Sequence, residues 1–234
     1  MNRESYAVRV ASHTSVLDAL LHIKETRDNS LAIRCSCRMG ICGACGIVVN
    51  GKPSLACETN ALANAKEGTL EISPMEGFPM VKDLVTDMNG LFDKHKEAGP
   101  ALFRNDKKEK YAAQKEYPQT KEDVDKFFPY SLCIMCGLCL DACPVSNTKP
   151  DFLGPQALVQ AYRYTRDSRD QMGKERLYLI DRLDGVWGCE FAGSCSDVCP
   201  KGVGPASAIQ LLKLETMKAR FGGEKETPED AASG

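Results

Sequence analysis

No stretch of this 234-residue chain approaches the ~18 consecutive apolar residues that a membrane-spanning helix requires. The opening segment, MNRESYAVRV, lacks an apolar h-region, so nothing in it reads as a secretory signal. A surplus of one charge is missing too. The formal net charge is −2 and no run of Lys and Arg marks a nucleic-acid site, so no nucleic-acid partner is expected. Pairs of Asp, Glu and His of the kind that do acid/base work are not evident, nor is a catalytic triad or a nucleotide loop. The single glycine-rich stretch, Gly202-Val203-Gly204, directly follows a cysteine cluster, which argues against a phosphate site. The three histidines, His13, His22 and His95, are expected at the surface rather than as ligands. What remains is ordinary in bulk, 43% hydrophobic and 26% charged, with a length that favours two small domains. Such a protein is expected in the cytosol, or docked from the cytosol onto another component.

Along the chain the pattern changes character. Tyr6-Ala7-Val8-Arg9-Val10 alternates as a half-buried strand, and Ser15 caps a helix over Val16 to Thr26. Residues 31–34 read as a short strand, Gly46 to Val49 as another, and Asn50-Gly51 as a hairpin turn. Leu70-Glu71-Ile72 supplies a further strand. Val81, Leu84, Val85, Met88 and Phe92 fall at helical spacing, predicting a helix over 81–92. Residues 93–126 are charged and poor in large aliphatics, as in a surface excursion. From residue 129 the apolar pattern is helical. Leu158, Ala161 and Tyr162 share one helix; Ala208, Ile209, Leu211 and Leu212 share another, with Pro205 suited to its first turn. The tail from Gly222 is small and charged, and is expected to be disordered.

Cysteine is the exception to this ordinary composition, with twelve residues. Thiols in a reducing compartment stay reduced, so clustered cysteines point to metal rather than disulfides. Cys37, Cys42 and Cys45 are spaced C-x4-C-x2-C, with Cys57 further on, the plant-type ferredoxin spacing for a 2Fe–2S cluster. Gly40 and Gly43 let the backbone approach, so that amide N–H groups face the sulfides. A zinc site would more naturally pair two C-x2-C units. Cys35 fits the loop worse and is read as a bystander near the cluster; ligand exchange or redox sensing is its functional alternative.

The second run is Cys133-x2-Cys136-x2-Cys139-x3-Cys143-Pro144, a bacterial ferredoxin pattern whose fourth cysteine ligates the other cluster of a pair. Its partner lies downstream as Cys189-x5-Cys195-x3-Cys199-Pro200, lacking only the second cysteine, where Ala192 stands. Exchanging fourth cysteines gives Cys133, Cys136, Cys139 and Cys199 to a 4Fe–4S cluster. It leaves Cys143, Cys189 and Cys195 for a site with one corner unheld. Alanine cannot ligate iron, so a 3Fe–4S cluster is the natural occupant. The alternative is a 4Fe–4S cluster whose fourth iron binds water or an outside ligand.

Taken together, SCRMGICGAC with Cys57, CIMCGLCLDACPV, DFLGPQALVQAYRYTRDSRD and CEFAGSCSDVCPKGVGP resemble the iron–sulfur subunit of the succinate dehydrogenase/fumarate reductase family over essentially the whole chain. The resemblance implies an α+β fold. A plant-type 2Fe–2S ferredoxin (β-grasp) domain over 1–92 is followed by a linker or surface excursion over 93–128. An all-α, bacterial-ferredoxin-like domain spans 129–223, before a disordered tail over 224–234. It implies a flavoprotein partner carrying FAD and the dicarboxylate site, and a membrane anchor binding quinone. Electrons would pass through the 2Fe–2S, 4Fe–4S and 3Fe–4S clusters in that order, on the cytoplasmic face of the membrane. Family members that use ubiquinone carry a Trp-Trp pair after the second run. Here that place reads Val145-Ser146-Asn147, which leans toward the fumarate reductase branch and toward menaquinone. The same resemblance sets Phe191, Gln210 and Lys213 near the quinone, against the plainer reading of Gln210 and Lys213 as surface residues of an amphipathic helix. Family members begin with a strand ten or more residues before the segment matching Tyr6 to Val10, in a hairpin with it; this sequence is expected to start too late to include that strand, as in a shortened sequence. Competing readings are a relay subunit of another dehydrogenase, such as glycolate or glycerol phosphate oxidation, a thiol-linked fumarate reductase, or a regulatory Fe–S switch.

Overall fold

A computed structural model of the protein describes residues 3–104 and 116–221, so part of the 93–128 linker and the whole 224–234 tail lie outside the described residues. The first helix, α1 (Val16–Thr26), begins as its capping signal predicts. The Asp18 amide donates to Ser15 Oγ at 3.1 Å and the Ser15 amide donates back to Asp18 Oδ2 at 3.1 Å. Its apolar face, Val16, Leu17, Leu20 and Ile23, is buried. That face packs in one core with β1 (Gly46–Val49) and β2 (Lys52–Leu55). The two strands pair antiparallel with Gly46 opposite Leu55 and Val49 opposite Lys52. Between them Asn50 and Gly51 take φ of +48° and +80°, the two left-handed positions that a tight hairpin turn requires. All four β1 residues are buried, which is why this strand reads as an uninterrupted apolar run.

A short helix α2 (Ala61–Asn64), capped by Asn60, leads to β3 (Ile72–Ser73), which pairs with the free edge of β1 and makes the sheet order β2-β1-β3. The strands expected at Tyr6–Val10 and 31–34 do not form ladders. Exposure alternates along 6–10 and Val10, Leu31 and Ile33 pack on the core, yet neither segment is paired in a ladder among the described residues; the one backbone bond from 31–34 to a later segment is the Leu84 amide donating to the Ala32 carbonyl at 3.3 Å. The helix expected over 81–92 is also corrected. Met80–Lys82 (β4) and Val85–Thr86 (β5) form a hairpin that turns at Asp83, φ +46°. Val81 and Phe92 are exposed, so the apparent i, i+3, i+4 spacing there marks no buried face. Helix α3 (Asn89–Glu97) starts only after this hairpin and crosses residue 92, so a boundary drawn there falls inside an element.

The second half is helical. After α4 (Lys121–Asp125) and α5 (Phe128–Ser131) come two short helices, α6 (Leu138–Asp141) and α7 (Pro144–Thr148), and then the central α8 (Gly154–Thr165). Every residue from Gly154 to Tyr162 is buried. Around α8 pack α3, α5, α9 (Gly173–Ile180) and the long α11 (Pro205–Phe221), with α10 (Ser194–Asp197) between them in sequence. Pro205 opens α11 as its fixed φ predicts. The DSRD segment proves to be structural. Arg176 on α9 is wholly buried. Its guanidinium meets Asp170 at 2.7 and 3.0 Å and donates to the carbonyls of Gly99 and Ala101 at 2.8 and 2.9 Å. One buried cation thus ties α9 to the chain leaving α3.

The halves share more than a boundary. Leu138 and Leu140, from the second cysteine run, belong to the core of the first half, and Ile134 and Cys136 pack on it. At Gly43, φ +72°, a Cβ would stand 2.9 Å from Cys136 Cβ, 3.0 Å from its Cα and 3.0 Å from the Ile134 carbonyl oxygen. The first cysteine loop therefore lies directly against the second, at a distance only glycine allows.

Three substitutions test this packing. Asp170→Ala strands a buried guanidinium and is expected to cost about 3–5 kcal/mol of unfolding free energy in a urea titration; a loss under about 1 kcal/mol would show the pair to be dispensable. Gly51→Ala, with open space around it, should cost only the about 1–2 kcal/mol of a left-handed backbone. Gly43→Ala should lose about 1–3 kcal/mol more, because its methyl group meets backbone. Equal losses in the two glycine variants would contradict the close contact.

Candidate metal centres

The hairpin β1–β2 builds the first centre. Cys45 sits immediately before β1 and Cys57 just after β2, and the Ala56 amide donates to the Cys45 carbonyl at 3.0 Å. This register sets the two sulfurs 3.3 Å apart. Cys37 and Cys42 come from the preceding loop, where Arg38, Gly40 and Gly43 all take positive φ and turn the backbone amides inward. The N–H groups of Met39, Ile41 and Cys42 donate to Cys37 Sγ at 3.4, 3.3 and 3.3 Å, and that of Gly40 donates to Cys57 Sγ at 3.2 Å. Those three amides hold the Cys37 thiol down at about 6, whereas burial pushes Cys45 up to about 12. The loop offers backbone dipoles to negative charge on sulfur, as the glycines in the sequence predict. Cys35 stands apart. Among the described residues no amide donates to its sulfur, and it packs against the core of the first half.

The other seven cysteines divide between two hollows. Cys133, Cys136, Cys139 and Cys199 line one; Cys143, Cys189 and Cys195 line the other, together with Ala192. This is the exchange of fourth cysteines that the two runs imply. Each run builds its site by the same local device. Met135 and Phe191 have φ of +53° and +59°, and Gly137 and Gly193 have φ of +82° and +84°. Each glycine opens a single-turn helix, α6 or α10, that carries Cys139 or Cys195. In this repeat Ala192 takes the position of Cys136.

Burial pushes the thiols of Cys136 and Cys195 up to about 11, Cys133 upward as well, and Cys139 well above the ordinary range. Thiols held up in this way by burial, as in Cys136 and Cys139, become thiolates only when bound metal supplies the compensating charge. All twelve cysteines are unpaired by disulfides. Among the described residues, no three His, Cys, Asp or Glu side chains converge on one point as a single bound ion requires. Sulfur-only donors spread around a hollow, with amides aimed at sulfur, fit a polynuclear iron–sulfur core better than mononuclear zinc.

The three centres run in series. Gly43 of the first loop meets Cys136 of the second centre, and Cys139 of the second packs with Cys195 of the third and Ala206. Phe191, Gln210 and Lys213 gather at the third. Lys213 Nζ donates to the Cys189 carbonyl at 2.8 Å, Gln210 Nε2 approaches Cys189 Sγ at 3.7 Å, and the Phe191 ring lines the hollow while 58% exposed. Gln210 and Lys213, both partly buried, thus contact Cys189 at this site. His95 departs from expectation. It is half-buried on α3, its Nδ1 lies 3.0 Å from Gln156 Nε2, and burial holds its pKa below the usual value. Gln156 and Gln160 went unread in the sequence, although two glutamines four apart in the apolar run LGPQALVQAY were a visible signal.

Two family models match the chain: a 2Fe-2S iron-sulfur cluster binding domain over residues 2–93 and a 4Fe-4S dicluster domain over residues 130–203. The fumarate reductase iron-sulfur subunit of Mycobacterium tuberculosis is 44% identical, covering 90% of this chain and 84% of that one. The mitochondrial succinate dehydrogenase [ubiquinone] iron-sulfur subunit 1 of Oryza sativa is 40% identical, covering 87% and 72%. A chain of the Mycobacterium smegmatis Sdh1 complex in the apo form superimposes with a TM-score of 0.81 at 25% identity, covering 94% of this chain and 91% of that one. Cysteine sites, fold and relatives agree: the chain belongs to the family of iron–sulfur subunits of fumarate reductase and succinate dehydrogenase.

Proposed function

We propose that this chain relays electrons between the FAD of a dicarboxylate-converting flavoprotein and a membrane quinone. The observation that carries the reading is the series of three cysteine centres, each touching the next. Iron–sulfur clusters bound there supply reversible one-electron steps. The chain's own residues do the rest. Cys37, Cys42, Cys45 and Cys57 hold a 2Fe–2S cluster near the exposed tip of the first loop, where Met39 and Ile41 face solvent. Cys133, Cys136, Cys139 and Cys199 hold a 4Fe–4S cluster in the middle. Cys143, Cys189 and Cys195 hold a 3Fe–4S cluster, because Ala192 offers no thiolate to a fourth iron.

The third centre is the quinone end. Phe191 presents an exposed ring beside it, and Gln210 and Lys213 bring an amide and a cation to the same rim from successive turns of α11. Lys213 is suited to hydrogen-bond a quinone carbonyl and to stabilise charge developing on its oxygen. We assign menaquinone, since no tryptophan pair follows Cys143-Pro144. Among the described residues no helix is long and apolar enough to cross a membrane, so contact with the bilayer is assigned to an anchor subunit, at the cytoplasmic face.

Isolation of the native complex tests the assignment. An FAD-bearing chain, a membrane anchor, bound menaquinone and interconversion of succinate and fumarate are expected. A complex lacking flavin or dicarboxylate turnover would refute it. Ala192→Cys addresses the third centre separately. The variant should lose the three-iron EPR signal of the oxidised protein and gain a four-iron cluster of lower potential. Persistence of an unchanged three-iron signal would contradict the role given to Ala192.

A further inference from the structure

Apart from its cysteines, the described lining of the four-cysteine hollow carries a single ionisable side chain, Lys201. Lys201 follows Cys199-Pro200 in sequence, and Val198, just before them, packs on the core of the first half. This turn therefore lies at the seam between the first and second centres. Across the seam, Lys201 Nζ stands 3.6 Å from Glu58 Oε1.

Glu58 belongs to the other side. It follows Cys57, and its carboxylate folds back over the first cysteine loop. At Gly40, φ +68°, a Cβ would overlap that carboxylate, standing 2.7 Å from Oε2 and closer still to Oε1. Glycine thus leaves open the space that the carboxylate fills. The amide of the same Gly40 donates to Cys57 Sγ at 3.2 Å. The anion rests on the loop that wraps the first centre, and the cation on the wall of the second. The side chains of Lys201 and Glu58 are 23% and 40% exposed, and an ion pair so open to water adds little to stability. Beside a cluster, however, net charge acts on the electron that enters it.

We propose that Glu58 and Lys201 form a charge pair that sets the difference in reduction potential between the first and second centres, the carboxylate lowering the first and the ammonium raising the second. The inference rests on the reading of these centres as a 2Fe–2S and a 4Fe–4S cluster. Reduction adds one negative charge to a cluster, so a nearby cation favours the reduced state and a nearby anion opposes it. The pair draws the electron toward the middle centre, the one that touches both others.

The test is an EPR-monitored redox titration of the intact complex carrying Lys201→Met, Lys201→Arg or Glu58→Gln. Lys201→Met removes the ammonium at similar length. It should lower the four-iron reduction equilibrium about tenfold, roughly 59 mV for a one-electron couple. Glu58→Gln keeps the shape of the side chain and should raise the two-iron equilibrium by a similar factor. Each variant should move the other cluster of the pair less, and the three-iron potential should stay in place. Lys201→Arg keeps the charge and should hold both wild-type potentials. If Lys201→Met fails to assemble, Lys201→Gln and Glu58→Gln carry the same comparison. Intact two-iron and four-iron signals with unshifted potentials would overturn the proposal. So would equal shifts in all three clusters, or a Lys201→Arg variant that shifts as Lys201→Met does. Absence of any two-iron or four-iron signal from the wild-type complex would instead refute the cluster reading beneath it.

Discussion

Thiols buried in apolar surroundings resist ionisation, and this conflict organises the helical half of the protein. Burial pushes Cys136, Cys139 and Cys195 upward, so as free side chains they would remain neutral in their hollows. Bound metal reverses the preference, because a coordinated sulfur is deprotonated outright. The first centre solves the same problem from the backbone. Three amides aimed at Cys37 stabilise its thiolate in advance, on a loop too exposed to shelter charge by burial. One fold thus uses two means of holding sulfur charge: backbone dipoles on the exposed loop, and bound metal in the interior, where the Val203 amide also donates to Cys199 Sγ at 3.4 Å.

The second constraint is proximity. Transfer between centres needs short separations that survive thermal motion, and the protein obtains them by letting the halves share a core. Leu138 and Leu140 flank the cysteine turn of the middle centre and pack in the first half, so the two cannot drift apart without opening that core. Gly43 closes the remaining gap against Cys136. On the far side, Cys139 and Cys195 pack directly with Ala206, on the first turn of α11, the helix that brings Gln210 and Lys213 to the last centre.

Much of this was legible in the sequence, for identifiable reasons. Cysteine spacing is a direct record of ligand geometry, so the groupings around Cys199 and Cys143 followed from the paired runs and Ala192. The N-cap at Ser15, the Asn50-Gly51 turn and Pro205 are local signals whose energetics do not depend on distant contacts, and each matched. Residues 81–92 misled because a few apolar residues met the helical spacing by chance, while Asp83 turned the chain into a hairpin. The segment 6–10 alternates correctly, but a strand is defined by its neighbour, and alternation cannot report one. The half-burial of His95 and the polar contacts of Gln156 and Gln160 were missed because they arise only when α3, α5 and α8 meet.

The central claim is that eleven cysteines hold three clusters, the last of them short of one iron. Iron and inorganic sulfide analysis of the intact complex, combined with Mössbauer spectra, tests it most directly. About nine irons and about ten sulfides per chain are expected, distributed over two-, three- and four-iron populations. About ten irons with no three-iron population, or zinc in place of iron, would contradict the account.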